Sequence, residues 1–227
     1  MENDIKDIFL VEFIGLPGAG KTTTAAKVYT KLLDSGYRCS VRESMSPGNE
    51  SSIIDRFIYG IYFVCSHPLK VTKIFLLSLY LKKPSKFFLL LKVFISQFRN
   101  INNKNIHYAI YDQGIFNMLL YIGGENTNWK KIIKIYTKLL PVNLCFIVLE
   151  ISIEKAIKRA KNRKLKRHFT KQESDKRIRK IYSKYNENIR FLLSDLKNTP
   201  YLNLNMKSEL DYNVDKTTQF LSKLRKT

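Results

Sequence analysis

Short apolar runs alternate along the chain with segments whose apolar residues recur at helical spacing. Five runs are predicted as strands: residues 8–14 and 144–149 are apolar enough to be buried, and residues 37–41, 106–111 and 201–205 are the other three. Helices are predicted where apolar residues recur every three or four positions, at residues 23–33, at 129–140 and from about 208 onward. Strands that alternate with helices in this way predict an α/β fold, with a parallel sheet covered by helices on both faces.

The segment between the second and third predicted strands, residues 53–98, is apolar, aromatic and rich in lysine. Three breaks divide it, at residues 67–68, 82–84 and 99–100. Each piece is too short and too charged to span a bilayer, which takes about 20 apolar residues. We therefore predict a helical insertion at about 53–100 that covers the core or caps an acceptor site. Lysines interleaved with Phe, Leu and Ile in residues 69–98 fit equally well an interfacial helix that contacts an anionic membrane.

Residues 15–22 read Gly-Leu-Pro-Gly-Ala-Gly-Lys-Thr, which matches the complete pattern G-x-x-x-x-G-K-[ST]. The motif follows a predicted strand and precedes a predicted helix, as it must in order to work. Its glycines let backbone N–H groups turn toward phosphate oxygens, and the helix N-terminus adds a partial positive charge. Lys21 is expected to reach the β- and γ-phosphates, and the Thr22 hydroxyl is expected to ligate Mg²⁺. The motif predicts binding of a nucleoside triphosphate through eight residues: Gly15, Pro17, Gly18, Ala19, Gly20, Lys21, Thr22 and Thr23.

Length and cysteine content indicate the broad class of protein. The 227 residues suffice for a single α/β domain, residues 1–227, with a small insertion. The three cysteines show neither paired nor metal-like spacing, which indicates reduced thiols and an intracellular protein. The acidic start also lacks the pattern of a secretory signal, so we expect a cytoplasmic location.

The chain is strongly basic, with 40 Lys and Arg residues against 19 Asp and Glu residues and a net charge of +21. Such a surface favours nucleic acid, anionic membranes or polyphosphate ligands as partners. An abundance of Lys, Ile, Asn and Tyr, typical of an AT-rich coding sequence, accounts for much of this charge without any function. The sequence lacks the aromatic and basic alternation of single-strand binders and any Asn-Lys-x-Asp guanine motif. These absences argue against nucleic acid as the partner.

Polar residues follow the second and third predicted strands, at the edge where ligands bind in α/β sheets. Asp112 and Gln113 follow the third strand, and Asp112 is expected to hold the metal, through water, or to hold the acceptor. Glu43, after the second strand, would take a proton from a hydroxyl acceptor, or would contact a ribose or base if the acceptor is a phosphate. Arg42 would pair with an acceptor phosphate. The alternatives without a function are a helix-cap or turn role for Asp112 and a solvated surface position for Glu43.

Arg159, Arg163 and Arg167 recur at four-residue intervals after the fourth predicted strand. On one continuous helix they would form a stripe, and in a lid they would converge on the triphosphate. An arginine aimed at the γ-phosphoryl group stabilises the charge that develops in the transition state. The alternative, in a chain this basic, is a solvated basic helix face.

Together these features resemble the thymidylate kinase-like branch of the nucleoside and nucleotide kinases, over nearly the whole chain. That family carries an Arg-Glu-Pro-Gly stretch after strand two, an Asp-Arg pair after strand three, and a helix whose arginines feed a mobile lid. The resemblance implies a P-loop NTPase three-layer sandwich, with a five-stranded parallel sheet in the order 2-3-1-4-5 and a helical lid. It also implies an acceptor site between the inserted helices and an arginine lid at about 157–172.

The resemblance implies an ATP- and Mg²⁺-dependent enzyme that moves the γ-phosphoryl group to a nucleoside monophosphate, a nucleoside or a related small acceptor. Arg159 and Arg163 match the family's lid positions, and Arg56 matches an acceptor contact on the helix after strand two. Gln113 stands where the family has an arginine that holds an acceptor phosphate. The family often forms dimers through helices that flank the sheet, so a homodimer is a further expectation. The alternative is a non-kinase P-loop NTPase that works with nucleic acid or a partner protein.

Overall fold

The computed structural model describes seven stretches of the chain: residues 8–41, 53–101, 106–123, 127–140, 142–162, 175–196 and 199–226. Within them, strands form a parallel sheet: β1 (Phe9–Ile14), β2 (Cys39–Val41), β3 (Tyr108–Tyr111), β4 (Asn143–Glu150) and β5 (Tyr201–Asn205). Their order in the sheet is β2-β3-β1-β4-β5, and every neighbouring pair is parallel. The predicted α/β class, its five strands and their order are therefore confirmed.

Helices connect the strands and cover both faces of the sheet. They are α1 (Lys21–Asp34), α2 (Ile53–Ser66), α3 (Pro68–Tyr80), α4 (Phe87–Ile101), α5 (Ile115–Ile122), α6 (Trp129–Leu139), α7 (Ile153–Asn162), α8 (Asp175–Asp195) and α9 (Leu210–Lys226). A 3-10 turn, Pro84–Lys86, joins α3 to α4. Across the described stretches, none of these helices combines the length and the apolar character that a membrane crossing requires.

β1 lies at the centre of the sheet and separates two apolar cores. Because side chains alternate along a strand, Leu10 and Ile14 belong to one core while Val11 and Phe13 belong to the other. The helices α1 and α9 cover the Val11 face, whereas α4, α5, α6 and α8 cover the Leu10 face. All four of these β1 side chains are fully buried, as expected for a parallel sheet that is covered on both sides.

The segment between β2 and β3 forms the helices of the predicted insertion, α2, α3 and α4. α4 turns Leu90 and Phe94 into the core, and α3 adds Ile74 and Leu77. The inner faces of α3 and α4 therefore pack on the core. The third predicted break is wrong in position, because α4 continues through it to the buried side chain of Ile101.

Two of the helices, α5 and α8, are not predicted from the sequence. α5 is almost entirely apolar, so its pattern does not distinguish a buried helix from a buried strand. α8 is mostly polar, and its buried apolar positions form a narrow stripe along one side: Ile178, Tyr182, Tyr185, Ile189 and Leu192. A stripe this narrow gives only a weak helical signal.

Candidate functional site

The loop of residues 15–20, here called the phosphate loop, joins β1 to α1 and packs against the backbone of two other elements. A Cβ atom at Gly15 would stand 2.8 Å from the carbonyl oxygen of Leu149 in β4. At Gly18, where φ is +87°, a Cβ atom would stand 2.5 Å from the carbonyl oxygen of Ala156 in α7. Both positions therefore require glycine, and the close approach fixes the loop against β4 and α7.

Lys21 begins α1 and folds back over the phosphate loop. Its Nζ atom donates hydrogen bonds to the carbonyl oxygens of Gly15, at 2.6 Å, and of Leu16, at 3.1 Å. The first turn of α1 carries no acidic residue that would offset the partial positive charge of the helix N-terminus. The ammonium group and the helix N-terminus thus both place positive charge at the loop, where it suits an anionic ligand.

Thr22 and Asp112 link the start of α1 to the neighbouring strand. The Thr22 hydroxyl donates a hydrogen bond of 2.5 Å to Oδ2 of Asp112. Asp112 directly follows β3, which pairs with β1, and it is only 3% exposed. A hydroxyl oxygen beside a carboxylate oxygen gives the hard ligands that Mg²⁺ prefers, so the donor set fits this ion. In the described stretches no three His, Cys, Asp or Glu residues cluster as a metal cage, so an ion here would also need ligand or water oxygens.

Glu12 is a buried carboxylate that is not among the residues predicted from the sequence. One of its oxygens, Oε1, accepts hydrogen bonds from Nε2 of Gln97, at 2.8 Å, and from the backbone N–H of Ile115, at 3.1 Å. The other, Oε2, accepts from the backbone N–H of Phe116, at 3.0 Å. The carboxylate therefore caps the N-terminus of α5, immediately after the segment that carries Asp112. A carboxylate in the middle of an apolar strand is the sequence signal that could have indicated it.

Burial and hydrogen bonding act in opposite directions on Glu12. Removal from water raises the pKa of this carboxyl from 4.5 to about 7, although its hydrogen bonds with Gln97 and with the α5 backbone lower the pKa. The side chain is fully buried, so burial prevails. Close to neutral pH, Glu12 therefore changes its protonation state beneath the phosphate loop.

The hydrogen bonds of Glu12 belong to a larger buried network. The hydroxyl of Tyr136 in α6 donates to Oε1 of Gln97, at 2.8 Å, on the far side of the Gln97 amide. Asn117, the residue after Phe116, donates to the carbonyl oxygen of Phe13, at 2.7 Å, and accepts from the hydroxyl of Tyr185 in α8, at 2.8 Å. The network ties β1, which carries the loop, to four helices on the same face of the sheet.

Of the residues predicted from the sequence, Lys21, Thr22 and Asp112 lie at one edge of the sheet, and two of them are hydrogen-bonded. Gln113, next to Asp112, is exposed. Arg159 is exposed on α7, one helical turn after the alanine that approaches Gly18. The structure thus brings together the phosphate loop and the hydrogen-bonded pair Thr22–Asp112, and it places Arg159 on the helix that packs against the loop.

The remaining predicted residues lie outside the part of the chain that the structure describes. They are Arg42 and Glu43 after β2, Arg163 and Arg167 after α7, and the side chain of Arg56 in α2. Of the arginine lid predicted at 157–172, the structure describes the part up to Asn162. The roles assigned to these residues stay predictions.

No family model matches this chain, and no curated protein sequence matches it. Among solved structures it is similar to a deoxyadenosine kinase from M. mycoides with bound dCTP, at 16% identity and a TM-score of 0.52, over 94% of this chain and 99% of that one. The same kinase with bound dATP gives 16% identity and a TM-score of 0.49, over 93% and 98% of the two chains. A gluconokinase from Sinorhizobium meliloti 1021 gives 11% identity and a TM-score of 0.44, over 97% and 95%.

The first of these similarities is one of fold. An alignment that covers almost all of both chains, at low identity, relates their architecture and not their side chains. The protein described here therefore has the fold of the P-loop nucleoside kinases.

Proposed function

We propose that this protein is a kinase that uses ATP and Mg²⁺ to phosphorylate a small acceptor: a nucleoside, a nucleoside monophosphate or a related sugar. The observation that carries the proposal is the contact of Thr22, which follows Lys21 at the end of the phosphate loop, with Asp112 on the neighbouring strand. It unites the nucleotide motif with a buried carboxylate at the edge where parallel sheets bind ligands.

Phosphoryl transfer depends mainly on positioning and on neutralising charge, which this arrangement can supply. Backbone N–H groups of the loop and the N-terminus of α1 would hold phosphate oxygens. Lys21 would exchange the carbonyl oxygens of Gly15 and Leu16 for oxygens of the β- and γ-phosphates. Mg²⁺, held by the Thr22 hydroxyl and by Asp112 directly or through water, would neutralise charge on the same phosphates.

The acceptor would bind beside Asp112, at the end of β2. Val41, the last residue of β2, is in register with Ile110, two residues before Asp112. Arg42 and Glu43 follow Val41 directly, which supports their proposed contacts with the acceptor. In this proposal Glu43 takes a proton from a hydroxyl acceptor, or contacts a ribose or base when the acceptor is a phosphate.

Two observations of different kinds support the proposed class of acceptor. The sequence resembles the thymidylate kinase-like kinases, and the fold is similar to that of a deoxyadenosine kinase. Deoxynucleosides are accordingly the first acceptors to test, thymidine monophosphate is the second, and sugars follow. Arg159 and Arg163 are proposed to contact the triphosphate, and Gln113 and Arg56 the acceptor.

The experiment is ATP turnover by the purified protein with Mg²⁺, against this panel of acceptors. One acceptor class should stimulate turnover, and Lys21→Ala should reduce it by about 100-fold or more, the scale of losing one charged transition-state donor. Lys27→Ala is the matched control, since Lys27 lies on the same helix but pairs with Asp211 at 2.6 Å. Turnover that no acceptor stimulates, or that survives Lys21→Ala, would contradict the proposal. Turnover stimulated by nucleic acid alone would point to the non-kinase NTPase.

A further inference from the structure

The outer surface of the helical insertion exposes an unusual amount of apolar side chain. The described residues include seventeen exposed large apolar side chains, and eleven of them lie between Ile58 and Leu89. Scattered exposed apolar residues need no explanation, but a concentration of this kind marks an interaction surface. The exposed side chains of α2, α3 and the start of α4 are called the insertion surface below.

α3 shows the feature most clearly, because it is apolar on two opposite sides. Its inner side buries Ile74 and Leu77 against the core. Its outer side carries Leu69, which is 76% exposed, and Leu76, which is 55% exposed. A helix that is apolar all round is normally buried all round. Within the described residues, the inner side of α3 is buried, whereas Leu69 and Leu76 on its outer side stay largely exposed.

The neighbouring helices of the insertion also expose apolar side chains. On α2, Ile58, Ile61 and Tyr62 are exposed and recur at the three- and four-residue spacing of one helix face. At the start of α4, Phe88 is 78% exposed. Three helices thus contribute exposed aliphatic and aromatic side chains.

From Ile58 onward the charge of the insertion is entirely positive, and Asp55, near the start of α2, is the single carboxylate of residues 53–101. From Ile58 to Ile101 the sequence contains seven Lys and Arg residues and no Asp or Glu. Five of these lysines are exposed: Lys73, Lys82, Lys83, Lys86 and Lys92. Lysines of this kind can lay their apolar stems along the surface while the ammonium groups reach anions.

Charge decides which partner fits this surface. A second copy of the chain would bring two all-positive surfaces together, with no carboxylate in the segment to pair with the lysines. An anionic bilayer offers an apolar layer for the exposed Leu, Ile and Phe side chains and a negative headgroup layer for the lysines. We propose that the insertion surface docks the protein on an anionic lipid membrane, at the interface and without crossing it.

The test is flotation of the purified protein with two kinds of vesicle: phosphatidylcholine alone, and phosphatidylcholine mixed with phosphatidylglycerol. The protein should float only with the vesicles that contain phosphatidylglycerol, and high salt should release it because salt screens the lysines. The double variant Lys73→Glu with Lys83→Glu should lower the bound-to-free ratio by at least about five-fold per residue. Leu69→Ser with Leu76→Ser should weaken binding without unfolding the protein, since both side chains are exposed.

Matched controls are available on α9, which covers the opposite face of the sheet. Tyr212→Ser removes an exposed apolar side chain there, and Lys216→Glu reverses an exposed charge. Both controls should float like the unaltered protein. Circular dichroism of every variant checks that the fold is retained.

Three outcomes would overturn the proposal: no flotation with phosphatidylglycerol, equal flotation of the insertion and α9 variants, or a lipid-free dimer that the Leu69→Ser and Leu76→Ser changes dissociate. The last outcome would make the surface an interface between two copies of the chain. Vesicle binding and ATP turnover are measured separately, so neither result decides the other.

Discussion

The contact of Thr22 with Asp112 leads to a prediction about the affinity of the site for Mg²⁺. Asp112→Asn keeps the size of the side chain and removes its negative charge, beside the hydroxyl that is 2.5 Å away. If Asp112 helps to hold Mg²⁺, the concentration of Mg²⁺ that gives half-maximal ATP turnover should rise by about 10- to 100-fold. Titrating Mg²⁺ at fixed ATP measures it. The exposed Asp34→Asn on α1 is the control, and an unchanged Mg²⁺ requirement for Asp112→Asn would remove Asp112 from the metal site.

The stability of the folded protein should depend on pH through Glu12. The direction of this dependence follows from the raised pKa of the Glu12 carboxyl. Between pH 4.5 and about pH 7 the folded protein keeps the proton on Glu12 while the unfolded chain loses it. Stability from this group is therefore complete below pH 4.5 and falls as the pH rises through about 7. A shift of this size corresponds to a loss of about 3 kcal/mol in the free energy of unfolding.

Glu12→Gln should remove that dependence, because glutamine does not titrate. The variant should be less stable than the unaltered protein at low pH. Its amide N–H₂ group would face the backbone N–H of Phe116, and two donors cannot form a hydrogen bond. The difference in the free energy of unfolding should then shrink as the pH rises through 7. Urea unfolding at a series of pH values measures it, with the exposed Glu187→Gln as control. A difference that stays constant with pH would mean that Glu12 does not titrate in this range.

At the scale of elements, two glycine substitutions distinguish the effect of packing between the phosphate loop and α7 from the effect of backbone strain. Gly18 and Gly36 both have positive φ, +87° and +81°, but only Gly18 has a neighbour at clashing distance. Replacement of either by alanine should cost about 1–2 kcal/mol of stability for the left-handed conformation. Gly18→Ala should in addition push the loop away from Ala156 and abolish the rise in Tm that ATP produces in the unaltered protein.

Thermal unfolding with and without ATP measures this effect. Gly36→Ala should keep the ATP-dependent rise in Tm, because Gly36 lies at the other end of α1, about 20 Å from the loop. An equal ATP response in the two variants would show that the contact with α7 does not position the loop.

The elements differ in how well their sequences predict them. β5 was predicted at residues 201–205, where it is found, and β4 within one residue at each end. These strands are short apolar or alternating runs with polar flanks, so local pattern suffices. α8 depends on a narrow buried stripe and on packing against distant elements, which local pattern does not contain.

The residues of the candidate site also differ in how well the sequence predicts them. Asp112 was predicted because it directly follows an apolar strand, and position along the chain identifies it. Glu12 was not predicted, because its function in the fold depends on Gln97, 85 residues away, and on the N-terminus of α5. Such partners come together only through the order of the strands and the packing of α4, and neither can be read from the residues around Glu12.

At the scale of the whole molecule, the charge of the insertion differs from that of the α1 and α9 surface on the opposite face of the sheet. On one face, Lys27 and Lys31 of α1 pair with Asp211 and Asp215 of α9. On the other, the insertion from Ile58 to Ile101 contains no carboxylate. A net charge of +21 arranged in this way would turn the insertion toward an anionic surface during approach. The phosphate loop, at the end of β1, lies on the edge between the two faces.

The central place of β1 also has a consequence for biosynthesis. Phe9 of β1 is in register with Tyr108 and with Asn143, so its two partner strands lie 99 and 134 residues further along the chain. At ribosomal speed, the second partner emerges roughly 7–27 s after β1. Until the first partner, β3, emerges, the apolar strand beneath the phosphate loop has no neighbouring strand to pair with, and until β4 emerges one of its edges stays unpaired, which makes it a natural binding site for chaperones on the nascent chain. The speed of translation through the insertion therefore determines how long β1 remains without its partner strands β3 and β4.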